Sequence, residues 1–99
     1  MPASDVPQGR SRPWFLYVLR CGNGALYTGV STDVARRYAQ HQTGKGARYT
    51  RLNPPAAIAL VIEYPDRSAA LQAEYAFKKL SAAAKRDFLR RHGDAAGFG

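Results

Sequence analysis

Between Trp14 and Val30 the chain spells out a hairpin. A dense apolar and aromatic run, Trp14 to Cys21, is followed by Gly22-Asn23-Gly24 and then by Ala25 to Val30. The first run predicts a strand covered on both faces, because aromatic and β-branched side chains suit a pleated, packed surface. Gly-Asn-Gly is the strongest turn signal in the sequence. Two registers are open. A two-residue Asn23-Gly24 loop pairs Gly22 with Ala25 and sends Tyr17 and Tyr27 to opposite faces. A three-residue loop with Gly24 in the left-handed region pairs Cys21 with Ala25 instead. Leu19 then lies opposite Tyr27, and both tyrosines share a face.

Past the hairpin, Ser31-Thr32-Asp33 offers cap oxygens for a helix running to about Thr43, where Gly44 stops it. At about 100° per residue, Val34, Tyr38 and His41 cluster on one face with Arg37 at its edge. Arg36 points nearly the opposite way and should be solvated. Residues 44–53 read as a basic loop closed by Pro54-Pro55. Ile58 to Tyr64 predicts a third strand, Asp66 caps a helix from Arg67 to about Leu80, and Ser81 caps a last helix through Arg91, ended by Gly93. The expectation is therefore an α+β fold of order β-β-α-β-α-α, a three-stranded antiparallel sheet flanked by helices. Residues 1–13, with three prolines and few apolar side chains, are expected to be a flexible tail. Residues 14–93 form the one domain, and residues 94–99 a frayed end.

Ninety-nine residues support one modest core. Fifteen Lys and Arg against seven Asp and Glu give a net charge of +8, an imbalance that points to a polyanionic partner. Cys21 is the only cysteine, which excludes an internal disulfide and a multi-cysteine zinc site. No secretory leader is apparent at the start, and no apolar run approaches the roughly 18 residues of a membrane span. A cytoplasmic protein with no membrane partner is the default expectation.

The residue types that could carry chemistry are few. Cleaving a phosphodiester requires a group that takes the nucleophile's proton and groups that neutralise charge on the phosphoryl oxygens. A guanidinium suits the second task, because its planar fork donates two parallel hydrogen bonds. A tyrosine suits the first only if its pKa falls well below about 10. Tyr17 and Tyr27, with Arg37 and His41 one helical turn apart, supply such groups. Each alone also reads as an ordinary packing aromatic, surface charge or helix-end imidazole. Glu74 shares a helix face with Leu71, Phe77 and Lys78, so the stripe that packs on the sheet includes a carboxylate. That placement is costly unless the carboxylate meets a cation, either Lys78 four residues on or a metal. Lys45, Arg48, Tyr49 and Arg51 make the best binding-loop candidate, with glycines on both sides of Lys45 for a close backbone approach and Tyr49 to stack on a base. A solvated flexible loop is the plain alternative.

Tyr17, Tyr27-Thr28-Gly29, Arg37, His41 and Glu74, in that order and spacing, resemble the GIY-YIG endonuclease module from Trp14 to about Leu80. The stretch Thr43 to Arg51 and the Ala-Leu-Gln-Ala-Glu segment are similar to its small bacterial single-domain branch, the UPF0213-like proteins. They are also similar to the catalytic subunit of enzymes that cut branched DNA. Phe15-Leu16 stands where the family has Gly-Ile, and Thr28 where it has Ile. The resemblance implies Tyr17 as general base and Tyr27 as a phosphate- or water-positioning group. It implies Arg37 on the transition-state charge, His41 as orienter or relay, and Glu74 as ligand of a single Mg²⁺ or Mn²⁺ ion. Gly29 is implied to let backbone and substrate approach closely. Whether Tyr17 or His41 takes the proton stays open. The expected function is a metal-dependent endonuclease acting on DNA, with branched, flapped or single-stranded forms as candidate substrates and specificity supplied by this domain or by a protein partner. The alternative is a non-catalytic nucleic-acid-binding or partner-docking module that keeps the fold. A basic structural protein would explain the charge but not the tyrosines or Glu74.

Overall fold

Strand β1 (Trp14–Cys21) is the middle of the sheet, with β2 (Leu26–Ser31) antiparallel on one side and β3 (Pro55–Tyr64) antiparallel on the other. The structure is a computed structural model and describes residues 12–92. Except for residues 12 and 13, the expected tail lies outside the described residues, as do Gly93 and the expected frayed end. Central placement explains the unbroken apolar run of β1: Leu16, Tyr17, Val18 and Leu19 are each at most 2% exposed. A strand covered on both faces cannot alternate apolar with polar.

The hairpin takes the three-residue loop. The Cys21 amide donates to the Ala25 carbonyl at 2.8 Å, the Gly24 amide to the Cys21 carbonyl at 2.9 Å, and Gly24 has φ +87°. That left-handed conformation is open to glycine at little cost and explains its place in the turn. Leu19 therefore pairs with Tyr27 and Tyr17 with Gly29, which puts both tyrosines on one face.

Four helices complete the described residues: α1 (Val34–Gln42), α2 (Arg48–Leu52), α3 (Arg67–Lys78) and α4 (Ala82–His92). Three begin at the caps expected. Asp33 accepts from the Arg36 amide at 3.1 Å, Asp66 from the Ala69 amide at 2.9 Å, and Ser81 from the Ala84 amide at 3.1 Å. Helix α3 packs across β1 and β2. Val18, Ala59 and Leu60 of the sheet bury against Phe77 and Leu89, with Leu26, Ile62 and Phe88 beside them. Full burial of a side chain such as Val18, Leu60 or Phe77 contributes about 1.5–3 kcal/mol. The neighbours of Val18 in sequence, Tyr17 and Leu19, point to the other face, where α1 and α2 lie.

Two boundaries differ from expectation. Residues 44–53 are not one loop, because Arg48–Leu52 closes into α2. Its cap residue Ala47 makes no side-chain hydrogen bond, so the usual start signal is missing. The third strand begins at Pro55, three residues early, with Pro55 opposite Cys21. β3 is an edge strand, where a residue without an N–H is tolerated. No described helix is long and apolar enough to cross a membrane.

Candidate active site

Tyr17 reaches from the centre of the sheet to α1, where its hydroxyl lies 3.0 Å from His41 Nε2. It can do so because Gly29, its partner on β2, leaves the space empty. A Cβ on Gly29 would stand 2.5 Å from the Tyr17 hydroxyl oxygen and 2.7 Å from Cζ. The close approach expected of substrate at Gly29 is thus made by the Tyr17 ring, and Gly29 itself is buried. The sequence reading of that glycine needs correcting: it seats a side chain of this protein.

His41, near the end of α1, is fully buried. Its Nδ1 is 2.6 Å from Thr50 Oγ1 on α2, and the Thr50 hydroxyl lies 2.9 Å from the Ala47 carbonyl. Gly46 presses on the imidazole so closely that a Cβ there would stand 2.8 Å from Cγ and Cε1. Tyr27 covers another side, its ring centroid 4.9 Å from that of His41. Tyr49 stacks on Tyr27 at 6.4 Å with planes 10° apart. The aromatic expected to stack on a base therefore stacks on the site's second tyrosine and remains 40% exposed.

Arg37 sits one turn before His41, its Nη1 donating to Gln40 Oε1 at 2.9 Å. Beside it opens a shallow depression of about 270 Å³ lined by Ser31, Asp33, Arg36, Arg37 and Gln40. As expected, Arg36 is exposed. Glu74, on α3 one turn before the core residue Phe77, has a side chain only 18% exposed and pairs with the more open Lys78 at 3.1 Å.

The electrostatics tie these groups together. Burial pushes the Tyr17 pKa up to about 12; the charges of Tyr27 and Glu74 add to the rise, while the Arg37 guanidinium beside the hydroxyl opposes it. Burial first, and Arg37 second, hold His41 below its usual range. At neutral pH the pair is a neutral phenol against a neutral imidazole. The depressed tyrosine pKa that a free phenolate base would need is not present, because burial outweighs the guanidinium. Direct contacts join His41 to Tyr17 and to Tyr27, Arg37 bears on both Tyr17 and His41, and Glu74, on α3, is linked to Tyr17 only through a weaker effect of its charge. Lys45, Arg48 and Arg51 are exposed on the α1–α2 connection and α2.

Thr50 and Gln40 are the participants that sequence reasoning missed, and Gly46, expected to allow a close approach of a phosphate, instead admits the His41 ring. A threonine inside an apparent basic loop carries no periodicity that would aim it at a histidine nine residues earlier. Among the described residues no three His, Cys, Asp or Glu side chains gather as a metal cage. A single largely buried carboxylate fits a hard, hydrated cation whose other positions are water and phosphate oxygens, as Mg²⁺ prefers. Of the two cations weighed from the sequence for this carboxylate, the structure shows Lys78.

Residues 13–87 match the GIY-YIG catalytic domain. The chain belongs to the GIY-YIG family. A UPF0213 protein of Cupriavidus pinatubonensis is 52% identical over 80 residues, spanning 81% of this chain and 89% of that relative. UPF0213 protein YhbQ of Salmonella typhimurium is 52% identical over 69 residues, spanning 70% of this chain and 69% of its own length. The solution NMR structure of a UPF0213 protein from Bacillus halodurans superimposes with a TM-score of 0.55 at 37% identity, covering 82% of this chain and 86% of that one. The GIY-YIG domain is a nuclease module, and the sheet and helices described above are its fold.

Proposed function

We propose that this chain is a divalent-metal-dependent endonuclease that hydrolyses phosphodiester bonds in DNA, with branched, flapped or single-stranded DNA as substrate. One observation carries the reading: the Tyr17 hydroxyl is held against His41 Nε2 with Arg37 beside it and Glu74 within electrostatic reach. A buried phenol cannot lose its proton to solvent as a free anion. It can accept a proton from an attacking water if its own passes along the 3.0 Å hydrogen bond to His41. Arg37 is close enough to offset negative charge near the phenol and to bind a phosphoryl oxygen. Tyr27, against the imidazole, orients the water or phosphate. Glu74 would hold Mg²⁺ or Mn²⁺ after Lys78 yields, which costs little because Lys78 is more than half exposed. When bound, the ion supplies charge neutralisation at the phosphate. Lys45, Arg48, Tyr49 and Arg51 would track the DNA backbone, and a partner protein would supply further specificity.

The test is turnover by the pure protein on branched, flapped and single-stranded DNA with Mg²⁺ or Mn²⁺. Cleavage should vanish in Tyr17→Phe, Arg37→Ala and Glu74→Ala. Activity that persists unchanged in all three would place the chemistry elsewhere. The Glu74–Lys78 ion pair and the raised Tyr17 pKa favour one other reading, a docking module that binds nucleic acid without cutting it. That module would bind equally well without Glu74 and Tyr17, and no substrate would turn over.

A further inference from the structure

The stretch from Gly46 to Thr50 closes over His41, and its hydrogen-bond chain has only one consistent direction. Thr50 Oγ1 touches two partners, the Ala47 carbonyl at 2.9 Å and His41 Nδ1 at 2.6 Å. A carbonyl can only accept, so the single hydroxyl proton of Thr50 goes to Ala47. His41 Nδ1 must then be the donor to Thr50, which leaves Nε2 with its lone pair facing Tyr17 at 3.0 Å. The other end of the chain agrees with this order. The Tyr17 hydroxyl has His41 Nε2 as its hydrogen-bond partner at 3.0 Å, so a lone pair there gives the phenol proton an acceptor. With the opposite tautomer, Thr50 and Ala47 would face each other with lone pairs. Tyr17 would then receive its hydrogen bond from His41 and keep its own proton without that partner.

We infer that Thr50 is a positioning residue that fixes His41 as the Nδ1–H tautomer, so that Nε2 is held ready to take the proton of Tyr17. Thr50 touches no reacting atom and acts through the imidazole. Burial makes the lock firm: Thr50 and His41 both have no exposed surface, and Gly46 leaves no room for water over Nδ1. The same geometry accounts for the segment as a unit. Gly46 admits the ring, Ala47 supplies the carbonyl that orients the hydroxyl, and α2 places Thr50 one turn on from that carbonyl.

The tautomer is read by ¹⁵N NMR of the histidine side chain in the metal-free protein, with Thr50→Val and Thr50→Ser compared. In the wild type, Nδ1 should resonate as a protonated, pyrrole-type nitrogen and Nε2 as an unprotonated, pyridine-type nitrogen. Thr50→Val keeps the shape but removes the acceptor, so both nitrogens should move toward intermediate values as the tautomers mix. Thr50→Ser should restore the wild-type pattern. An Nε2–H tautomer in the wild type overturns the inference even if the valine variant fails to fold, and so does a pattern unmoved in a folded Thr50→Val. A second arm rests on the nuclease reading: turnover should fall about 10²-fold in Thr50→Val, with KM unchanged, and recover in Thr50→Ser. If no protein cuts any DNA while the tautomer pattern follows Thr50, the lock stands and the nuclease reading falls.

Discussion

Gly29 and Tyr17 form one object, since the ring occupies the volume a side chain on Gly29 would need. Gly29→Ala must displace a buried ring flanked by sheet and helix. The expected cost is about 1–3 kcal/mol from overpacking, with loss of the Tyr17–His41 hydrogen bond. Urea midpoints of Gly29→Ala and wild type, with m unchanged, measure it. Tyr17 also contributes to alkaline stability. The folded Tyr17 pKa of about 12 lies above its ordinary 10.0, so the folded state holds that proton more tightly than the unfolded chain does. The contribution is complete below the ordinary value and is lost as pH rises toward the folded one, on the order of 3 kcal/mol in all. Tyr17→Phe should flatten that fall, seen as a shallower drop in unfolding free energy through the alkaline range. His41 runs the other way. Its folded pKa is depressed, so its contribution holds above the ordinary 6.5 and is lost as pH falls through the folded value. Under the proposed function, the acid limb of the pH–turnover profile should accordingly lie below 6.5.

Two of the helices around the site, α1 and α2, are stabilised differently. Helix α1 has an N-cap carboxylate in Asp33, and Asp33→Ala should cost about 1 kcal/mol. Helix α2 has five residues and no capping side chain, so propensity cannot hold it. What holds it is tertiary contact, chiefly Thr50 on His41 and Tyr49 on Tyr27. Tyr49→Ala should therefore speed amide hydrogen exchange at Arg51 and Asn53, whose amides donate to Ala47 and Tyr49, and leave Val18 in the core unchanged. Equal protection at those two amides in the variant would mean that α2 is stable by other contacts.

Across the whole molecule, charge and catalysis should separate experimentally. Under the proposed function, Lys45, Arg48 and Arg51 contribute mainly to affinity and Glu74 mainly to turnover. Arg48→Gln with Arg51→Gln should weaken DNA binding and reduce the slope of log K against log salt by about 2, at roughly 0.9 per phosphate contact. Glu74→Gln should leave metal-free DNA binding near the wild-type level while abolishing metal-dependent cleavage, checked by fluorescence anisotropy and by a gel assay on the same DNA. A cleavage rate unaffected by Glu74→Gln would remove this carboxylate from the metal's coordination.

The sheet, the three capped helices and the inward side of α1 at His41 were legible in the chain because they follow from local rules. Apolar periodicity, turn glycines and cap oxygens act over a few residues and leave a direct imprint on the order of amino acids. The hairpin register was half legible: the turn was evident, but only backbone pairing chose the loop that puts Tyr17 beside Tyr27. The tertiary structure alone decided that Gly29 seats Tyr17, that burial raises the phenol pKa and overrides Arg37, and that Thr50 on an uncapped short helix holds His41. Those outcomes depend on distances between segments far apart in sequence and on exclusion of water. No local pattern of residues encodes either.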